Sequence, residues 1–156
     1  MSTQRGAQVP FQPPLLFFFS ILLGLLIHYL VLPWSLPLGK LLCTITGACI
    51  GLSGLVVNVI TIGYFNRSGQ NTLPWEPTPS LILKGPYRFS RNPMYLSVLI
   101  MQVGFGVMIN VLWIILFSIP AMIVVHFLAV LLEENYLTER FGEEYLRYTR
   151  RVRRYI

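Results

Sequence analysis

Leu41-Leu42-Cys43-Thr44-Ile45-Thr46-Gly47-Ala48-Cys49-Ile50-Gly51-Leu52-Ser53-Gly54-Leu55-Val56-Val57-Asn58-Val59-Ile60-Thr61-Ile62 runs without a single charged side chain. A helix needs roughly 20 apolar residues to cross a hydrocarbon core, and this stretch has that length. Three neighbours resemble it. Leu15 to Leu32 carries no charge and one histidine, His28; further on come Met94 to Ile109 and Val111 to Leu132. The chain of 156 residues is 54% hydrophobic and 12% charged, about half the charged share of a soluble domain. The pattern predicts an all-α membrane protein with about four transmembrane helices. The first run also follows Arg5, as a signal peptide would, but it is longer than a signal core, and Leu32-Pro33-Trp34 is a poor cleavage site. It is read as a retained helix.

With four crossings, the N-terminus, the Gly63 to Asn92 segment and the tail after Leu132 share one side. That side holds Arg5, Arg67, Lys84, Arg88, Arg91 and the six arginines from Arg140 to Arg154, leaving only Lys40 opposite. The positive-inside rule then predicts both termini in the cytoplasm. Every acid, from Glu76 to Glu144, falls there too, so polar chemistry is expected at the cytoplasmic face. The net charge of +6 fits anionic lipid headgroups rather than nucleic acid, because the basic residues sit beside membrane helices and among aromatics. Cys43 and Cys49 have no metal-ligand spacing and read as buried small residues.

Residues 1–14 read as a disordered lead or an interfacial anchor. Residues 15–62 form two membrane helices joined by a short turn with Pro33, Trp34 and Pro37. Gly47-Ala48-Cys49-Ile50-Gly51, with Ser53 and Gly54, is a small-residue pattern that lets another helix approach closely. The last two runs, parted near Asn110, predict a tight hairpin whose second helix Pro120 kinks. Gly63 to Pro93 is a long proline-bearing loop, a length usually tied to function. Leu137, Phe141, Tyr145, Tyr148, Val152 and Tyr155 recur at helical spacing and predict an amphipathic tail that Gly142 divides.

The chemistry concentrates in Lys84-Gly85-Pro86-Tyr87-Arg88-Phe89-Ser90-Arg91-Asn92-Pro93-Met94-Tyr95. Asn92 suits a helix N-cap and Pro93 the first turn, so the third membrane helix is expected to start here. Its free amides, with Arg88 and Arg91, would accept an anion. Glu133-Glu134 is expected at the far end of the fourth helix, where the helix dipole disfavours carboxylates and something cationic must compensate. A zwitterionic ligand suits an anion-accepting helix start beside an acidic helix end. His28 and His126 read as hydrogen-bonded interior histidines. No zinc spacing, P-loop or Rossmann glycine pattern is present.

Gly85-Pro86-Tyr87, then Arg91-Asn92-Pro93-Met94-Tyr95, an apolar hairpin, Glu133-Glu134 and Phe141-Gly142-Glu143-Glu144-Tyr145 with Tyr148 and Arg151-Val152 together resemble the isoprenylcysteine carboxyl methyltransferase and phospholipid N-methyltransferase superfamily. The resemblance covers the C-terminal half and makes residues 63–156 the catalytic region. It implies S-adenosylmethionine as methyl donor and a lipophilic or lipid-modified acceptor reaching the site from the membrane lipids. Carried onto this sequence, Pro79, Leu81, Ile82 and Tyr87 would enclose the adenosine part. Asn92, Pro93 and Tyr95 would border the methionyl part, and Glu133 would bind a polar or cationic portion. Arg91 and Glu134 are the candidate catalytic residues, the arginine to orient a carboxylate acceptor and Glu134 as a base for an amine. No metal is implied. Ala129 stands where the carboxyl methyltransferases carry arginine, and Asn92 where they carry histidine, which disfavours isoprenylcysteine as the acceptor. Two other readings fit parts of the pattern: an NADPH-dependent reductase of related helical arrangement, for which the chain is short, and a non-enzymatic lipid-binding scaffold.

Overall fold

The computed structural model describes residues 6–69, 73 and 75–156. Arg5 and the rest of the first five residues therefore lie outside the described residues, as do positions 70–72 and 74 of the long loop. The described chain is helical. Its elements are α1 (Pro13–Leu30), α2 (Lys40–Arg67), a 3-10 turn (Gly85–Arg88), α3 (Pro93–Met108), α4 (Leu112–Val125), a π turn (His126–Val130), α5 (Leu131–Phe141) and α6 (Glu143–Thr149).

Prolines open α1 and α3, where a missing N–H removes no intrahelical bond. By length and apolar character three helices suffice to cross a membrane: α1, α2 and the continuous rod Leu112–Phe141. Helix α3 is apolar but has 16 residues, about 24 Å of helix against a core of about 30 Å. Large apolar side chains such as Leu41, Leu52 and Val59 on α2 and Phe18 and Phe19 on α1 face outward. Such a surface suits lipid and not water.

Packing runs α1 on α4, α4 on α3 and α3 on α2, the last the most extensive. In lipid, helices gain nothing from excluding water between them, so close backbone contact and hydrogen bonds hold them together. The small residues of α2 serve this purpose, as their pattern predicts. A Cβ added to Gly47 would lie 2.2 Å from the Met108 nitrogen, and one on Gly104 of α3 would lie 2.3 Å from the Gly51 nitrogen. Asn58 Nδ2 donates to Ser97 Oγ at 2.8 Å across the same seam. Between α3, α4 and α1, Gln102 Nε2 donates to the Ile114 carbonyl at 3.0 Å and to Ser20 Oγ at 2.9 Å. Cys43 is buried as expected, whereas Cys49 is exposed on the outer face of α2.

Residues 31–39 close one end of the bundle. Leu112 N–H donates to the Trp34 carbonyl at 3.0 Å, and Asn110, at φ 59°, accepts from Leu36 N–H at 2.8 Å. This is the tight hairpin between the last two apolar runs.

Two expectations change. The acidic pair does not stand at a helix end, because the helix that begins at Leu112 continues through the π turn to Phe141 and stops only at Gly142, at φ 51°. No strong breaker intervenes: Pro120 lies inside α4, and the departure from regular helix falls later, at His126–Val130. A π turn inserts a residue into the ladder and re-aims whatever follows it, here Glu133 and Glu134. The second change concerns the lead. Ala7 and Val9 are buried against Phe17, Ala121, Val125 and Ala129. Gly6 N–H donates to the Trp75 carbonyl at 2.9 Å, so these residues belong to the core.

Candidate active site

At the end of the bundle away from residues 31–39, the loop after α2, the start of α3, helix α5 and the tail enclose a cleft of about 900 Å³, counted to its open mouth. Each wall has a local cause. Gly85 begins the 3-10 turn at φ 60°, a backbone conformation that favours glycine, and the Tyr64 ring fills the space where a side chain would stand. The turn presents Tyr87 to the cleft, its ring 6.0 Å from that of Phe65. Tyr148 Oη donates to the Tyr87 carbonyl at 2.7 Å, tying α6 to the turn. Farther along the loop, Thr78 N–H donates to Tyr136 Oη at 3.1 Å.

Asn92 precedes Pro93 at the start of α3, as read from the sequence, but its side chain caps nothing. Its Nδ2 instead donates to the Arg154 carbonyl at 3.1 Å. Ser90 Oγ accepts from Asn92 N–H at 3.2 Å and reaches the same carbonyl at 3.3 Å. The reason is tertiary: the tail lies across the helix start and supplies an acceptor that the cap amides do not.

Glu133 and Glu134 have different surroundings. Tyr95 Oη donates a hydrogen bond to Glu133 Oε1. Glu134 receives two guanidinium groups, Arg91 at 3.2 Å and Arg154 through a fork at 2.8 to 3.2 Å. The compensation that an acidic pair demands thus comes from arginines. Hydrogen bonding to Glu134 holds Arg154 firmly in its charged form. Arg91 Nε is buried without a hydrogen-bond partner, although Arg91 lines the cleft. A buried cationic donor left unmet is costly, and a ligand anion would relieve it. The phenols stay neutral. Burial, then the charges of Glu133 and Tyr148, raise Tyr87; burial, then Glu134, pushes Tyr145 up to about 12; and burial, then Tyr145, raises Tyr148.

Of the residues singled out in the sequence, Leu81, Ile82, Tyr87, Arg91, Asn92, Tyr95, Glu133 and Glu134 line the cleft, while Pro79 and Pro93 do not. Pro93 is buried beneath it as the first residue of α3. Sequence reasoning missed Ala7, Phe65 and Tyr136. Ala7 carried no signal, Phe65 lay at the polar end of an apolar run, and Tyr136 was off the stripe used to read the tail. Tyr145 and Tyr148 were noted in that stripe and in the family resemblance but were given no site role, yet both reach the cleft.

An aromatic and apolar wall, the Glu133 carboxylate and a largely buried arginine thus line one cleft. No curated protein matches the chain. The phospholipid methyltransferase family model matches residues 42–144, about two thirds of the chain, from the glycine seam of α2 through the loop, hairpin and acidic pair to α6. The chain belongs to the phospholipid methyltransferase family of membrane methyltransferases.

Proposed function

We propose that the protein transfers a methyl group from S-adenosylmethionine to a lipophilic or amphipathic acceptor that enters from the bilayer. In this reading the cleft opens at the cytoplasmic face, with both termini on that side, since nearly all arginines and lysines gather there. The observation that carries it is that Glu133 and Arg91, whose buried Nε has no hydrogen-bond partner, line one cleft. The donor bears both charge signs, so it meets both groups.

When bound, the donor would supply an electrophilic methyl on a sulfonium, to whose carbon the acceptor's electron pair bonds in line as the carbon–sulfur bond breaks and the thioether leaves with that electron pair. What the chain must provide is orientation and exclusion of water. Tyr87 and Phe65 supply an aromatic wall for the adenine, with Leu81 and Ile82 beside them. The first-turn amides of α3 lack intrahelical acceptors and, with Arg91, face a carboxylate. Glu133, held by Tyr95, faces a cationic portion. Glu134, carrying two arginines, has its lone pairs engaged and is poorly placed to take a proton. We therefore assign it to positioning, and an amine acceptor would arrive neutral.

The test is titration of S-adenosylmethionine into the purified chain in nanodiscs, followed by incubation of membranes with labelled donor and mass spectrometry of the labelled lipid fraction. Saturable binding that Tyr87→Ala and Glu133→Ala weaken, with a labelled amphipathic product, is expected. Absence of binding in the wild-type chain refutes the proposal.

A further inference from the structure

We infer that the segment Arg153 to Tyr155 is a working part of the donor site, a strap in which Arg154 is a positioning residue for Arg91. This rests on the donor reading above. The segment has no regular structure, yet it joins three elements. The Arg153 carbonyl accepts from Arg91 N–H at 3.0 Å. The Arg154 carbonyl accepts from Asn92 Nδ2 and Ser90 Oγ. The Arg154 guanidinium grips Glu134, and Tyr155 Oη pairs with His126 Nδ1 at 2.7 Å. That last contact reaches the first residue of the π turn, the irregularity that aims the acidic pair.

The consequence concerns Arg91. Its terminal nitrogen lies against Oε1 of Glu134, an oxygen it shares with Arg154 Nε while Arg154 Nη2 takes Oε2, and its buried Nε is left without a protein partner as the donor for a ligand. Glu134 is mostly buried, with 12% of its side chain exposed. Without Arg154 it would draw the whole Arg91 guanidinium to itself, since a buried carboxylate takes whatever cation remains. The donor to the ligand would then be lost, although Arg154 need not touch the ligand.

Two measurements on the full chain in nanodiscs test this: affinity for S-adenosylhomocysteine, and amide hydrogen exchange over residues 90–96. R154A is expected to weaken affinity about tenfold, the size of a lost charge-assisted hydrogen bond, and to speed exchange at the start of α3. R154K keeps the charge without the fork and is expected to recover neither, whereas rescue by lysine would reduce the role to bulk charge and overturn the inference. Y155F, which removes only the bond to His126, is expected to shift both readouts less and keeps the question open to measurement should R154A misfold. R150A, an exposed arginine of the same tail, is expected to change neither. Unchanged exchange in R154A, or faster exchange with unchanged affinity, overturns the positioning role. A wild-type chain that fails to bind S-adenosylhomocysteine overturns the donor reading instead, and exchange alone then decides whether the strap holds α3.

Discussion

Helix α3 is held in two different ways at its two ends. Along the α2 seam its backbone touches another backbone: Gly104 against Gly51, Met108 against Gly47, with the Asn58 to Ser97 bond between them. At its start it is held by carbonyls and charges: Ser90, Arg91 and Asn92 on the strap, and Tyr95 on Glu133. The difference follows from the surroundings. Between lipid-facing helices no water is released on contact, so attraction grows only as backbones come closer. At the polar end water competes for every hydrogen bond, and charge-assisted pairs survive that competition better than neutral ones. One end tolerates no added atom; the other depends on particular groups.

The contrast breaks most directly at the seam. Gly104→Leu is expected to cost at least about 3 kcal/mol, because backbone rather than a flexible side chain stands in the way. Thermal unfolding in detergent checks this, and a stable variant would mean that the helices can part. At the polar end, Glu133→Gln keeps an acceptor for Tyr95 but removes the charge. It is expected to weaken S-adenosylmethionine binding about tenfold with little change in unfolding temperature, as isothermal titration and a melt would show. A lost fold without a specific loss of binding would erase the distinction between the ends.

Gln102→Leu probes the polar bonds inside the membrane region. Such bonds contribute modestly because the separated helices find other partners, so a loss of about 1 kcal/mol is expected in reversible unfolding. Last, Cys49→Ala on the outward face of α2 is expected to change stability by less than about 0.5 kcal/mol. A larger effect would place a partner on that face and redraw which side of α2 is the seam.

Much of the membrane half was legible in the chain itself. Charge-free runs announce spans because an unpaired charge in hydrocarbon is expensive, and Gly47 and Gly54 announce a seam because side chains there would keep the helices apart. The polar half was legible in its residue types but not in their pairing. Arg91, Asn92, Glu133 and Glu134 stood out, yet Asn92 bonds a carbonyl of the tail rather than its own helix. Glu134 finds its second cation twenty positions away, at Arg154. Ala7 is the extreme case, a residue without any local signal that the fold tucks into both core and cleft.

Local rules therefore determined where helices start, which runs avoid water and which side collects the charge, since each depends on a residue and its near neighbours. Only the tertiary structure decided that the helix past Leu132 runs on to Phe141, that the acidic pair divides its partners, and that a strap without regular structure crosses the start of α3. Those outcomes depend on groups far apart in the chain competing for the same donors and acceptors. No window of sequence contains both competitors.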